Sequence, residues 1–371
     1  MKFTRRQLTK LGLISLGGVG ALTVTGSENV QAKKLPQQGL KILVLGGTGF
    51  LGPHIVRHAM SQGHTVTLFN RGKTGPRQLP DVETLIGNRN NNLKALQNRK
   101  WDIVIDTSAS IPQWVAASTK LLKPNVGHYI YISSTSVYKD WSLPDMDESS
   151  PIYAIDGPDV ADFTPFERYG ANKVACENEV RKLFPEQNTI IRSDTIVGPG
   201  DRQHFRYTSW IKRAAENDEL LAPGRKDAYV QYVDARDLGQ WIVHCLEKSV
   251  YGTFTATSPG SSYTMENMID DCLKASQSSP QVVWVDSEFL LSRDIFDIPF
   301  WVPDPAGHGG VGRFNTSKAQ QNGFKSRPRI DTARDVYKWY SHLSEKRQDF
   351  KVGLSKSQEQ QLIADWKKHS A

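Results

Sequence analysis

Apolar and polar positions fall into two alternating periods along most of this chain, and their order predicts the architecture. The run Lys41-Ile42-Leu43-Val44-Leu45 is short, apolar and branched, and glycines follow it at once, so it reads as a buried strand. An amphipathic helical pattern covers Pro53 to Gln62, and a second strand pattern, Thr65-Val66-Thr67-Leu68-Phe69, comes next. Strand patterns return at Trp101-Asp102-Ile103-Val104-Ile105-Asp106 and at His128-Tyr129-Ile130-Tyr131-Ile132, with a helical pattern near Val115 to Leu122 between them. Strands and helices in alternation predict an α/β fold, a doubly wound parallel sheet with helices on both faces.

The first strand-to-helix turn carries candidate chemistry. Gly46, Gly47, Thr48, Gly49, Phe50, Leu51 and Gly52 form a G-x-x-G-x-x-G pattern between a strand and a helix. Small residues there let the backbone approach a pyrophosphate closely, and the free N–H groups and dipole of the following helix favour the anion. This predicts a Rossmann-type dinucleotide site. At the end of the second strand an NAD site usually offers an acid to the ribose hydroxyls, whereas this chain has Asn70-Arg71-Gly72-Lys73. Arg71 and Lys73 suit a 2′-phosphate, which favours NADP over NAD; decoration of a plain turn is the competing reading.

Two further segments lie beyond strand ends, Ser133-Ser134-Thr135-Ser136-Val137-Tyr138 and Tyr169-Gly170-Ala171-Asn172-Lys173. On a helix Tyr169 and Lys173 share a face, so the lysine charge is expected to draw the phenol's pKa down from its usual value. A serine hydroxyl from the neighbouring strand end would then hold a substrate oxygen while the tyrosine gives or takes its proton.

With these residues in place the chain resembles the extended short-chain dehydrogenase/reductase superfamily, and within it the NAD-dependent epimerase/dehydratase family. The resemblance runs from Leu40 to about Tyr340 and rests also on Ile191-Arg192, Val197-Gly198-Pro199 and Val233-Asp234-Ala235-Arg236-Asp237-Leu238. It implies Ser134, Tyr169 and Lys173 as the catalytic set, with Ser136 the alternative serine, and Lys173 also touching the cofactor. It makes Asn88, in Gly87-Asn88-Arg89, a further candidate, for the adenine. It implies a Rossmann domain over 40–198, to which 226–256 returns, and a smaller substrate lobe from 199–225 and 257–345. Residues 346–371 read as a helical tail.

Candidate substrate residues are Asp194, His204, Tyr207, Trp210 and Trp301, with His308 just beyond. Asp194 departs from the family pattern: Arg192-Ser193-Asp194 stands where Arg-Pro-Gly is usual, which puts a carboxylate near the nicotinamide end. The long segment between Ser134 and Tyr169, with Pro144, Pro151, Pro158 and Pro165, reads equally as a substrate cover or a surface excursion.

The N-terminus does not fit this pattern. Thr4-Arg5-Arg6-Gln7-Leu8 precedes a mildly apolar run from Leu11 to Thr25 and Ala32, which resembles a twin-arginine export signal spanning residues 1–32, followed by a linker over 33–39. A basic tail or a plain secretory signal is the competing reading. Export implies an extracytoplasmic, periplasmic location and the twin-arginine translocase as a partner, with the leader either cleaved or kept.

Without Lys2, Arg5, Arg6, Lys10 and Glu28 the formal charge falls from +7 to +4, which is no nucleic-acid signature. Three cysteines, Cys176, Cys245 and Cys272, make no disulfide framework. His54 and His58 are spaced like metal ligands but lack a third partner, so no metal is expected.

The expected function is therefore an exported epimerase-type enzyme acting on a sugar or other secondary alcohol, with a tightly held nicotinamide cofactor. A folded route of export can carry a loaded cofactor, and a redox-neutral cycle needs no external pool to regenerate it. Family dehydratases place acids after the catalytic hydroxyl residue, whereas Ser134 is followed by Thr135-Ser136-Val137. An NADP-dependent reductase with exchangeable cofactor, and a non-catalytic nucleotide- or RNA-binding relative like the chloroplast stem-loop binding proteins, stay open, as does a homodimer.

Overall fold

The computed structural model describes residues 39–73, 79–107, 109–156, 163–201, 204–259, 263–303 and 309–370. The proposed leader and His308 lie outside the described residues.

The chain lays down β1 (Lys41–Leu45), α1 (Leu51–Ser61), β2 (Thr65–Asn70), β3 (Glu83–Ile86), β4 (Ile103–Asp106), α2 (Pro112–Leu122), β5 (His128–Ser134) and α3 (Pro165–Leu183). It continues through β6 (Asn188–Ser193), β7 (Ile196–Val197), α4 (Arg206–Glu216), β8 (Glu219–Pro223), β9 (Val233–Asp234), α5 (Ala235–Lys248), β10 (Gly252–Ala256), α6 (Met265–Ser276) and β11 (Gln281–Val285). Seven strands form one parallel sheet in the order β10-β6-β5-β4-β1-β2-β3. The chain order reverses between β1 and β4, and the crevice at that switch point is where such sheets bind ligands.

Side-chain alternation explains the layers. In β1, Ile42 and Val44 face a core shared with Ile55 and Val56 of α1 and Leu238 and Ile242 of α5. Leu43 and Leu45 face the other side, with Val115 of α2 and Cys176 and Val180 of α3. Being apolar on both faces, the strand is buried from Ile42 to Leu45, as a parallel sheet covered twice requires. Cys176, Cys245 and Cys272 are all buried and free.

A second apolar core gathers residues of α4, β8 and α6, β11, the helix Arg329–Ser341 and the C-terminal helix Lys356–His369. Here β8 pairs in parallel with β11, outside the main sheet. The tail is part of this lobe. Glu359 accepts hydrogen bonds from Arg213 at 2.9 and 2.7 Å, from Asn217 at 2.8 Å and from the Leu221 N–H at 2.7 Å. Both members of the ion pair are buried, so removing one leaves the other charge uncompensated. Glu359→Ala is expected to destabilise the protein by about 3–5 kcal/mol, read by denaturant unfolding.

Candidate active site

The sheet's carboxyl edge opens into a cleft of about 1870 Å³, lined by the glycine turn, the ends of β2 and β5, the start of α3, and residues of the second lobe. At its floor β1 passes through Gly46 and Gly47 into α1, whose first turn carries no acidic side chain and whose N-terminus has no side-chain cap. A Cβ on Gly52 would lie 2.4 Å from both Cα and C of Gly47, so only glycine lets the helix start against its own turn. Gly46, Gly47, Thr48, Gly49, Phe50, Leu51 and Gly52 all line the cleft.

Asn70, Arg71 and Lys73 come to the same cleft from the end of β2. Asn70 Oδ1 accepts from the Gly72 N–H at 2.8 Å, which fixes the side chain and leaves its Nδ2 buried without a partner among the described residues. A buried orphan donor, a glycine cradle a Cβ would fill and an uncapped helix start together fit a dinucleotide. Arg71 and Lys73 are exposed, and Asn88 lines the cleft with its Oδ1 accepting from the Asn90 N–H at 3.1 Å. Its neighbour Arg89 also lines the cleft, but its guanidinium is committed to Asp106 at 2.5 and 2.7 Å, and Tyr129 donates to the same carboxylate at 2.8 Å.

The catalytic candidates converge. Ser134 ends β5, and its hydroxyl accepts from the Ser136 N–H and donates to the Ser136 hydroxyl, each at 3.1 Å. Tyr169, on the first turns of α3, hydrogen-bonds Ser134. Ser136 sits in the turn that Ser134 caps, so Ser134 is the serine that meets the phenol. Gly170 permits this approach, since a Cβ there would lie 2.1 Å from the Ser136 carbonyl oxygen.

Lys173 is buried, and its Nζ donates to the carbonyls of Ala109 at 2.9 Å and Ile132 at 2.8 Å, 6.0 Å from the centre of the Tyr169 ring. Burial lowers its pKa to about 8.

The expected lowering of the tyrosine's pKa is not what the structure has. Tyr169 keeps 41% of its surface exposed, yet its hydroxyl end is withdrawn from water beside Ser134, and this desolvation pushes the phenol above its usual value. Ser134 and Arg206 oppose the shift. Lys173 is held by two carbonyls instead, and the cation that opposes the shift is Arg206, a residue that sequence reasoning missed. Arg206 opens α4 directly after Phe205, whose φ of 48° turns the chain back to the cleft.

A buried ionic cluster holds these parts in register. Glu177, two turns after Tyr169, accepts from Ser133 at 2.6 Å and from Arg192 of β6 at 3.1 and 2.9 Å. It also accepts from Arg181 at 2.9 Å. It therefore ties α3 to the residue beside Ser134. The signal was present in the sequence as Tyr169, Lys173 and Glu177 at successive i, i+4 positions.

The substrate candidates divide. Asp194, His204 and Trp301 line the cleft. Asp194 takes hydrogen bonds from Thr135 and from the Thr195 main chain, and burial raises its pKa to about 6 against the pull of Arg206. Tyr207 and Trp210 do not reach the cleft lining. They are 1% and 0% exposed in the second core, and Trp210 Nε1 donates to the Pro299 carbonyl at 2.9 Å. With Ile211 and Ala214 they form the apolar face of α4, which packing claims before any ligand can. The segment between Ser134 and Tyr169 supplies Lys139, Asp140, Trp141 and Tyr153 to the cleft wall.

A family model described as the NAD dependent epimerase/dehydratase family matches residues 42–255. The chloroplast stem-loop binding protein of 41 kDa b from Arabidopsis thaliana is 33% identical over 127 residues, which is 30% of this chain and 33% of that protein. The aligned stretch thus spans about a third of that relative's length. The solved UDP-Glc/GlcNAc 4-epimerase from Campylobacter jejuni is similar in fold, with a TM-score of 0.62 at 18% identity over 82% of this chain and 100% of that one. The UDP-N-acetylglucosamine 4-epimerase from Bacillus cereus gives 0.63 at 18% identity, covering 83% and 98%. The family match takes in β1 through β10, with the glycine turn and the Ser134, Tyr169 and Lys173 cluster inside it, and the chain belongs to the NAD-dependent epimerase/dehydratase family.

Proposed function

We propose that this protein is an epimerase-type enzyme that oxidises and re-reduces a secondary alcohol of a sugar, keeping its dinucleotide bound through the cycle. The observation that carries the reading is the meeting of Ser134, Tyr169 and Lys173 at the end of β5, in the cleft that the glycine turn opens. Gly46 to Gly52, Asn70, Arg71, Lys73 and Asn88 would hold the dinucleotide, and a bound nicotinamide supplies hydride acceptance and return. Ser134 holds the substrate oxygen by its hydroxyl. Tyr169 takes that oxygen's proton and later returns it, and Arg206 supports its charged form. Lys173, donating to the Ile132 carbonyl, fixes the strand end that carries Ser134.

Sugar-nucleotide epimerases among the structural neighbours make a carbohydrate the favoured substrate class. The aromatic side chains of Trp141, Tyr229 and Trp301 in the cleft wall suit a sugar ring. We favour a free sugar or glycan unit, because the twin-arginine pattern at Arg5 and Arg6 supports export, and nucleotide sugars are scarce outside the cytoplasm. Purified protein given NADPH and a carbonyl sugar is expected to show no net consumption of NADPH. Stoichiometric oxidation would replace this reading by an exchanging reductase.

Arg71 and Lys73, with no carboxylate at the end of β2, favour NADP over NAD. Arg71→Ala is expected to reduce the NADP-to-NAD affinity ratio by about 10- to 100-fold, read by titration of each nucleotide. An unchanged ratio would remove Arg71 from the 2′-phosphate site.

A further inference from the structure

Asp194 stands one residue past Ser193, which lies in register with Ser134 across β6 and β5. Its carboxyl lines the cleft and takes its hydrogen bonds from a hydroxyl, on Thr135, and from a main-chain amide, at Thr195. Two fully buried carboxylates nearby are bound differently: Asp106 of β4 is closed by Arg89 and Glu177 of α3 by Arg192. Arg206 acts on Asp194 from the head of α4, and it acts on Tyr169 of α3 as well. Two proton-carrying groups on different elements thus share one guanidinium at the catalytic end of the cleft, which His204 and Lys173 also line.

We propose that Asp194 is a second acid–base group, which removes and returns the proton on the carbon next to the one oxidised. This rests on the proposed oxidation of a secondary alcohol by the bound nicotinamide, because a carbonyl is what makes the neighbouring C–H acidic. The Asp194 carboxylate takes that proton, and the C–H electron pair becomes the new C=C bond. The carbonyl π pair moves onto oxygen, where the Ser134 and Tyr169 hydroxyls hold the enolate. Reversal restores the ketone with no net redox change. Return to the same face exchanges that hydrogen with solvent, and return to the opposite face inverts the carbon. Burial supports the role by lifting the carboxyl to about 6, where it exchanges protons readily near neutral pH.

The test incubates the protein, loaded with NADP or NAD, in D2O with glucose, galactose, UDP-glucose, UDP-N-acetylglucosamine and UDP-glucuronic acid. Reduced-nicotinamide absorbance reads hydride transfer, and mass spectrometry with NMR reads deuterium and its position. At least one sugar is expected to gain deuterium beside the oxidised carbon. Asp194→Asn should lower deuterium incorporated per hydride transferred by about 100-fold, and Asp194→Glu should restore part of it. Hydride transfer without deuterium in the parent, or an undiminished ratio in Asp194→Asn, would overturn the proposal. No hydride transfer from any of the sugars would overturn the functional reading, and the proposal with it.

A readout independent of turnover is stability against pH. The unfolded carboxyl ionises from 3.8 and the folded one only from about 6, so the parent loses stability as pH rises across that window. Asp194→Asn should therefore melt above the parent at neutral pH and level with it below 3.8. Equal melting at all pH values would contradict an Asp194 carboxyl that titrates above its usual range.

Discussion

Tyr169→Phe is expected to lower turnover by about 100- to 10,000-fold while leaving dinucleotide binding close to that of the parent. The loss follows from the position of the phenol, which hydrogen-bonds Ser134 at the end of β5 and lines the cleft. The ring stays partly exposed and its neighbours are unchanged, so removing one oxygen costs little stability. The glycine turn and the end of β2, which would hold the dinucleotide, lie on other elements. Parallel assays of turnover and nucleotide titration check this directly. Turnover within about twofold of the parent would exclude Tyr169 as the acid–base group, whereas a binding-only protein would show no effect at all.

Gly52→Ala is expected to weaken dinucleotide binding by about 100-fold, the second large effect. Its new methyl would sit 2.4 Å from the Gly47 main chain, which no side-chain adjustment can relieve. Either α1 moves away from the turn or the turn opens, and in both cases the N–H groups that would face a pyrophosphate are displaced. The strain also costs about 1–3 kcal/mol of stability. Circular dichroism separates a weakened site in a folded protein from loss of fold. Parental affinity in folded Gly52→Ala would show that the turn does not cradle phosphate.

What was legible in the sequence is what local spacing controls. The strand, glycine turn and helix from Lys41 to Ser61 are contiguous, and so is the helical pair Tyr169 and Lys173. Partners separated by long stretches of chain were not legible. Nothing in the sequence signals that Arg89, beside Asn88, is bound by Asp106, which the fold brings under it. Glu359 reads only as part of a helical tail until it meets Arg213, 146 residues away.

The aromatic residues after Pro199 show how a chemical guess can mislead. Tyr207 and Trp210 look like sugar platforms, but with Ile211 and Ala214 they follow helical spacing and pack inward. Arg206, one residue earlier, faces the cleft instead. The tyrosine's raised pKa was hidden for a related reason. Spacing shows that Lys173 shares a face with Tyr169, but only the packed structure shows two carbonyls holding its ammonium.

The central claim is a cleft that keeps a nicotinamide dinucleotide bound beside Ser134, Tyr169 and Lys173. The most direct test is to purify the full-length protein from the cells that express it, denature it, and identify the released nucleotide by mass spectrometry. The account predicts NADP or NAD in about one-to-one ratio with protein, retained through purification as a trapped cofactor must be. An empty protein that also fails to bind either nucleotide on titration would contradict it.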